Sequence, residues 1–465
     1  MRFALFSLYG ALLLACAASV EAQPTREPDW ARIGLTPVKQ EAGYWLHQAP
    51  YGETALMPPQ AITDRNARLL KSEPSMVSWP EWPDTLGVED IRKRIQALSK
   101  RPKAPLFNND NDPVTEAEIE DWLANLDIAN IRPSSDERFG MVVIRTPLRR
   151  FPTSERAFDK DGGIDIDRLQ ESALFPGTPV AVLHESRDRK WLFVQSENYA
   201  GWVQTEHIAL APRAEVLAYA GKNPRRWITG ARERTVHVPG VPDISELGLE
   251  MGTSFPVLEN WPLSRPVHGQ GVLGSWVIEL PARNGSGLLH TVPALLPRAA
   301  DTSAAALPAS QANLIRQGFK FLGERYGWGH DYHARDCSGF VSEVYRSLGI
   351  LLPRNTGDQQ RSLAFERIVF DPELARDQRI ERLKKLRVGD LVFIPGHVMM
   401  VIGSDRYGPW VIHDSNRTGV IIDGAFTDLP SNGVIVTPLL PLAFSGERLY
   451  TDAVTAVQRI LPAKP

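Results

Sequence analysis

Cysteine is almost absent from this chain of 465 residues, which holds only Cys16 and Cys337. Cys16 lies in an apolar amino-terminal stretch typical of an export signal, so we expect it to be removed or lipidated. No disulfide can then form within the chain, which excludes a disulfide-stapled scaffold. An exported protein that keeps a single cysteine suggests a functional thiol, and Cys337 is the candidate.

An excess of positive charge and long apolar runs are also missing. The 52 basic residues face 55 acidic ones, which argues against a nucleic-acid-binding protein that depends on a broad basic surface. Residues 3–18 are mostly apolar but short for a bilayer, and no later stretch predicts a membrane helix. We therefore expect no nucleic-acid partner, and no transmembrane helix after signal removal.

Residues 1–22 are interpreted as a signal peptide. Val20-Glu21-Ala22 fits a small-residue cleavage site before Gln23. Residues 13–16 also resemble a lipoprotein box, which leaves lipidation of Cys16 as an alternative. Both interpretations predict export to the periplasm or cell envelope.

The segment 23–135 is predicted to form a mostly helical clamp that packs on its neighbours. Helical patterns occur near 88–99 and 115–126, and in the second Thr115 and Glu118 have capping-box spacing. The acidic run 108–112 does not fit a calcium loop, because Pro113 stands where such a loop needs glycine. We expect no metal and no cofactor.

From about residue 139 the pattern changes to short alternating apolar runs separated by polar turns, which predicts small barrels. We assign 136–212 to a first barrel and 213–296 to a second of similar texture. The alanine- and proline-rich stretch 296–310 predicts a linker. Residues 297–465 then form the last domain, whose helices precede its apolar strands in an α+β architecture.

The strongest chemical signal surrounds Cys337, which begins a helical pattern of apolar residues that ends at Gly349. The first turn of a helix favours a thiolate, whereas the neighbouring Asp336 should raise the thiol pKa. Hydrolysis by a thiol also needs a base and a group that orients the base. His397 at the start of one apolar strand and His413 at the end of the next are the candidates, with Asp414 as a rival to His413.

Several short motifs carry a family resemblance. They are Tyr326-Gly327-Trp328-Gly329, Asp336-Cys337-Ser338-Gly339-Phe340, Leu352-Pro353-Arg354-Asn355-Thr356, Gly389-Asp390-Leu391-Val392-Phe393 and His397-Val398. In this order they resemble the NlpC family of bacterial cell-wall cysteine peptidases, which are circularly rearranged relatives of papain. The predicted barrels, with Tyr199-Ala200-Gly201-Trp202-Val203, are similar to bacterial SH3-type domains that precede such peptidases.

The resemblance implies a multidomain enzyme in which Cys337 is the nucleophile, His397 the base and His413 the orienting residue. Tyr326 is implied to assist at the oxyanion, with support of its own loop as the alternative. His330 departs from the pattern, since relatives usually have a second glycine there.

The resemblance also implies how substrate is held. Asp336 and Tyr199 would receive the free amine of an N-terminal L-alanine, with a helix-capping role as the alternative for Asp336. Ser338 would cap the helix or touch substrate, and Arg354 would hold a substrate carboxylate or form a structural salt bridge. The substrate would be a murein stem peptide, cut between γ-D-glutamate and a diamino acid by a monomeric enzyme.

Two other functions stay open at this point. A cell-wall amidase or acyltransferase could use the same Cys/His apparatus on stems still linked to glycan. An inactive wall-binding module could have kept the domain without its chemistry.

Overall fold

The computed structural model describes residues 28–135, 138–159 and 162–464. The predicted signal peptide, 1–22, and Cys16 lie outside the described residues. Within those three ranges, no helix has the length and apolar character needed to cross a membrane.

The first described segment is mainly helical. Its α-helices are α1 (Ala42–Leu46), α2 (Pro59–Ser72), α3 (Val88–Leu98) and α4 (Glu116–Asn125). The predicted capping box is present at α4, where the backbone N–H of Glu118 donates to Thr115 Oγ1 and the Glu118 carboxylate accepts from the backbone N–H of Thr115. The pattern of apolar residues and caps therefore located two of these helices to within one or two residues.

The amino-terminal helices contribute to two separate hydrophobic cores. Ile95 of α3 and Trp122 of α4 pack with Phe139 and other residues of the first sheet. Trp45 of α1 instead packs against Trp410 in the carboxyl-terminal core, with ring centroids 5.3 Å apart. The segment thus contacts both ends of the molecule.

A seven-stranded antiparallel sheet follows. Its strands are β1 (Phe139–Val142), β2 (Thr146–Arg149), β3 (Gln170–Leu174), β4 (Pro179–Glu185), β5 (Trp191–Gln195), β6 (Ala200–Gln204) and β7 (Ile208–Ala211). Their spatial order is β3-β2-β6-β5-β4-β1-β7. Strand β3 matters for function, because it contacts the loop at 328–333 that precedes Cys337.

Helix α5 (Arg213–Gly221) leads into three small sheets. Their strands are β8 (Arg225–Ile228), β9 (Arg232–Arg234), β10 (Gly248–Glu250), β11 (Ser254–Pro256), β12 (Ser275–Arg283), β13 (Leu289–Pro297) and β14 (Thr302–Ser303). The sheets are β10-β9, β11-β8-β14 and β12-β13. Strand β14 lies inside the stretch predicted as a linker, because Thr302 pairs with Ile228.

The carboxyl-terminal part combines helices with antiparallel strands. Its helices are α6 (Gln311–Phe319), α7 (Cys337–Arg346), α8 (Thr356–Arg361), α9 (Arg376–Leu383) and α10 (Tyr450–Ala453). Its strands are β15 (Glu366–Val369), β16 (Asp390–Ile394), β17 (His397–Asp405), β18 (Gly408–Ser415), β19 (Thr418–Ile422), β20 (Ala425–Leu429), β21 (Gly433–Pro438), β22 (Leu442–Ala443) and β23 (Ala456–Arg459). The sheets run β15-β23-β16-β17-β18-β21 and β20-β19-β22. Helices α6 and α7 share a core with the larger sheet, so the mixed helix-and-sheet architecture is as predicted.

Five of these strands were not predicted, namely β15, β19, β20, β22 and β23. The charged stretch 365–387 holds both the strand β15 and the helix α9. Strand β23, near the end of the chain, pairs with β15 on one side and β16 on the other. Strands β15 and β23 pair with each other although they lie about ninety residues apart in sequence, and local patterns cannot identify such a partner.

Candidate active site

Helix α7 places Cys337 at its first position. The Asp336 carboxylate caps the helix by accepting from the Gly339 N–H at 2.8 Å. Phe340, Val341 and Val344 then anchor the helix in the core. This anchoring fixes the thiol at the edge of the sheet, where its residue is only 6% exposed.

A cavity of about 330 Å³ opens over the thiol. Its walls include Tyr326, Trp328, Cys337, His397, Phe426, Phe444 and Tyr450, with Asn416, Arg417 and Asp428 beside them. Three of the predicted catalytic residues, Cys337, His397 and Tyr326, therefore line the same space. The cavity can hold a small peptide segment against the thiol.

The two predicted histidines are hydrogen-bonded to each other. His397 at the start of β17 and His413 in β18 lie on paired strands, and His397 Nε2 is 2.9 Å from His413 Nδ1. His413 Nε2 lies 3.0 Å from Thr437 Oγ1 on the next strand, β21. A His397 that is to accept a proton at Nδ1 must carry its own proton on Nε2, so His413 must accept at Nδ1 and donate to Thr437. These contacts are compatible with the tautomer that a general base needs, because the Thr437 hydroxyl can accept from His413 Nε2.

Both members of the predicted nucleophile–base pair are neutral in this arrangement. Burial, with a further contribution from Asp336, raises the pKa of Cys337 to about 12. Burial lowers the pKa of His397 to about 4. Desolvation and the Asp336 charge therefore oppose the thiolate that the first turn of the helix favours.

The thiol has other neighbours in this resting state. Cys337 Sγ lies 3.7 Å from Thr356 Oγ1 and 4.0 Å from the Gly396 carbonyl oxygen, and no hydrogen bond joins it to His397 among the described residues. Catalytic hydrogen bonds are often loose in free enzymes and tighten when substrate binds. Thr356 was missed by sequence reasoning, although it ends the Leu-Pro-Arg-Asn-Thr motif.

Tyr326 is held in place from both sides by backbone bonds. Its N–H donates to the Asn432 carbonyl at 3.1 Å, and it forms a parallel bridge with Arg335. Burial and then the nearby Cys337 raise the pKa of the phenol, so Tyr326 keeps its proton and can act as a donor. An oxyanion role for Tyr326 stays a prediction.

Arg354 differs from the expectation of a substrate-binding fork. Its Nε donates to Ser172 Oγ at 2.7 Å, and its two terminal nitrogens donate to both oxygens of Asp336, to Ser338 Oγ and to His330 Nδ1 at 2.7 to 3.2 Å. These five bonds use all five N–H groups of the guanidinium. No donor remains for a substrate carboxylate, so the geometry favours the alternative, a salt bridge within the protein.

Asp336 and Ser338 belong to the same buried cluster. Asp336 accepts from Arg354, from the helix N-terminus and from the Gly329 N–H at 3.1 Å. Burial opposes ionisation of Asp336, but the Arg354 guanidinium lowers its pKa to about 2. Asp336 is therefore a fixed negative charge beside the nucleophile, and its capping role is present. An additional role in amine binding stays a prediction.

Tyr199 faces a partner that sequence reasoning missed. Its hydroxyl donates to the Glu171 carboxylate at 2.5 Å. Burial raises the pKa of Glu171, and no ion pair to it occurs within the described residues. The charges of Arg354 and Asp336 also affect the pKa of Tyr199, so the Tyr199–Glu171 pair and the Asp336–Arg354 pair share one electrostatic environment. No local signal in β3 marks Glu171, because its importance depends on the packing of β3 against the loop before Cys337.

Two parts of the chain match models of known protein families. Residues 323–433 match the family model described as NlpC/P60, and residues 156–204 match one described as SH3 domain, SH3b1 type. The carboxyl-terminal part of the chain therefore contains a domain of NlpC/P60 type, a hydrolase domain of the cysteine-peptidase type, and an SH3-like region precedes it, as the resemblance implied.

Two individual proteins are similar to different shares of the chain. A gamma-D-glutamyl-L-lysine dipeptidyl-peptidase of Bacillus cereus is 35% identical over 100 residues, which cover 20% of this chain and only 26% of that protein. The solved structure of an NlpC/P60 endopeptidase from Photobacterium damselae subsp. piscicida has 16% sequence identity and a TM-score of 0.72, over 89% of this chain and 96% of that one. Its likeness shows that the fold extends over nearly the whole chain.

Proposed function

We propose that the protein is an exported cysteine endopeptidase that hydrolyses the amide bond between γ-D-glutamate and the diamino acid of murein stem peptides with a free N-terminal L-alanine. It would act in the cell envelope on peptides already released from glycan. The observation that carries the substrate proposal is the Tyr199–Glu171 pair beside Asp336.

The electrostatics of this region support a cationic ligand. Glu171 is a half-buried carboxylate whose bonded partner is a neutral phenol, and desolvation raises its pKa. Arg149, Arg150 and Arg354 favour its charged form from a distance, but none of them forms an ion pair with it within the described residues, so a bound ammonium group would add a direct counter-charge. Asp336 adds a permanent negative charge next to the nucleophile. An amine held by Glu171, Tyr199 and Asp336 would place the second residue of a short peptide at the thiol.

The residues lining the cavity can carry the reaction. The Cys337 sulfur attacks the γ-carbonyl carbon as its proton passes to His397, and Tyr326 stabilises the oxyanion. The C–N bond then breaks, and His397 returns the proton to the departing amine of the diamino acid. Water attacks the remaining thioester, giving one proton to His397, and the released sulfur recovers that proton. His413 and Thr437 keep His397 oriented through both steps.

The Bacillus cereus relative supports the bond specificity in this proposal, since its name specifies a γ-D-glutamyl-L-lysine bond. The alternative enzyme, an amidase or acyltransferase acting on glycan-linked stems, would have no use for an amine site. The inactive wall-binding module would not need two hydrogen-bonded histidines in the same region as a buried thiol.

Acetylating the N-terminal alanine of L-Ala-γ-D-Glu-diaminopimelate is expected to lower kcat/KM strongly. Acetylation removes the ammonium charge that Glu171 and Asp336 would attract, although each keeps its partner within the protein. Losing one member of a shielded charge pair costs about 2 to 5 kcal/mol, or roughly 30-fold to several-thousand-fold in rate. The preference for the free amine should also weaken above the amine pKa of about 8. Steady-state kinetics on the free and the acetylated peptide, at several pH values, measure this preference.

Two variants test whether Glu171 and Tyr199 cause the preference for the free amine. Glu171→Gln should lose most of it and Tyr199→Phe a smaller part, whereas Glu185→Gln, at a half-buried glutamate of the same sheet, should keep it. Equal cleavage of acetylated and free peptides by the wild type would contradict the amine site and favour the glycan-linked alternative.

A further inference from the structure

His330 occupies a backbone conformation that normally requires glycine. The loop at 328–333 has φ values of 57° at Gly329, 64° at His330 and 54° at Tyr332. A non-glycine residue in the left-handed region costs roughly 1 to 2 kcal/mol. The side chain of His330 must make interactions that offset this cost.

The imidazole of His330 is buried between two charged pairs. His330 Nδ1 lies 3.0 Å from Arg354 Nη2, and His330 Nε2 lies 3.1 Å from Glu343 Oε1. The ring sits edge to face against Phe175, with centroids 5.7 Å apart. Gly339 leaves the space for it, because a Cβ at that position would overlap the imidazole. The residue is only 6% exposed.

The network allows one protonation state. A guanidinium has donors but no lone pair to offer, so His330 Nδ1 must accept from Arg354. The single ring proton then lies on Nε2 and is donated to Glu343. Burial and the Arg354 charge lower the pKa of His330, in agreement with a neutral ring.

A neutral ring at this point separates two buried ion pairs. On one side, Arg354 binds Asp336. On the other side, Glu343 binds Arg335 at 2.8 Å, and Arg335 also binds Glu250 of strand β10. Without the imidazole, Glu343 is the next anion available to Arg354, and the guanidinium would be drawn away from Asp336.

We propose that His330 is a positioning residue for substrate specificity. It is a neutral spacer that keeps Arg354 bound to Asp336, and this ion pair holds the Asp336 carboxylate in the position that binds the substrate amine. This role rests on the proposed function. It also connects the amine site to the upstream part of the chain, because Arg145 donates to the His330 carbonyl at 2.7 Å and to Glu250 at 2.7 Å.

The test compares His330→Gly with His333→Gly, using the free and the N-acetylated tripeptide. Glycine suits both positions, since His333 has φ 55° in the same loop, but the exposed His333 ring has no hydrogen bond within the described residues. His330→Gly should lower kcat/KM for the free peptide by about 10- to 100-fold, the range for losing a hydrogen bond to a charged group. The loss should appear mainly in KM, with kcat/KM for the acetylated peptide unchanged. His333→Gly should match the wild type on both peptides.

The outcomes separate this proposal from the proposed function. A wild type that prefers the free amine and a His330→Gly variant with the same preference would overturn the role of His330 alone. A wild type without any preference would contradict the proposed function itself. If His330→Gly does not fold, ¹⁵N NMR of the wild-type histidines tests the role of His330 instead. A neutral His330 ring protonated on Nε2 at neutral pH supports the spacer, and a charged ring or an Nδ1 proton overturns it.

Discussion

Replacing Cys337 by alanine is expected to abolish hydrolysis of the tripeptide while leaving thermal unfolding nearly unchanged. The thiol is the group that forms the covalent intermediate, and removing a nucleophile of this kind costs on the order of 10⁵- to 10⁶-fold in kcat. The side chain is small and lies at the cavity wall, so its loss should cost about 1 kcal/mol of stability or less. Product release measured by mass spectrometry, alongside a thermal melt, checks both parts.

Thr356→Val provides the matched control for this variant. It removes the hydroxyl that lies 3.7 Å from the sulfur but keeps the nucleophile. We expect measurable turnover from Thr356→Val and none from Cys337→Ala. Turnover by Cys337→Ala comparable with the wild type would end the thiol-peptidase interpretation.

Replacing His397 by alanine is expected to be almost as severe as losing the thiol. With a thiol pKa raised to about 12, the free enzyme holds almost no thiolate near neutral pH, so attack depends on transfer of the proton to His397. His413→Ala should do less damage, because water can replace part of its hydrogen bond to His397 Nε2. The double variant of Cys337 and His397 should be no worse than either single one, since nucleophile and base act as a unit.

The pH profile checks the same assignment. A base must be unprotonated, and burial lowers the pKa of His397 to about 4, so activity should persist below the ordinary histidine pKa of about 6.5 and fall only at more acidic pH. His207→Ala is a suitable control, because this histidine lies in the upstream part of the chain and bonds Thr146 instead. Equal losses from His397→Ala and His413→Ala would require new roles for both residues.

Elements specified by local pattern could be predicted from the sequence. The Thr115 capping box and the apolar face that follows Cys337 each depend on neighbours within a few residues, and both are present in the structure. The two-residue period of β17 places His397 on the same side of the strand as Met399 and Val401, which lie in one core. These features follow from the 3.6-residue and two-residue periods of helix and strand.

Features that depend on distant partners could not be predicted. Arg354 was left with two possible roles because Ser172, 182 residues away, completes its set of acceptors. The proposed role of Glu171 depends on the packing of β3 against the loop at 328–333, which the sequence does not reveal. For the thiol pKa, the sequence showed the opposing effects of the helix dipole and Asp336 but not the depth of burial, which is the largest cause of the raised value.

The most direct test of the proposed activity is product analysis by mass spectrometry. Purified protein is incubated in parallel with L-Ala-γ-D-Glu-diaminopimelate and with intact peptidoglycan. We expect L-Ala-γ-D-Glu and free diaminopimelate from the tripeptide, and little or no release from the glycan-linked stems. Cleavage confined to intact peptidoglycan, or cleavage of a different bond, would contradict the account.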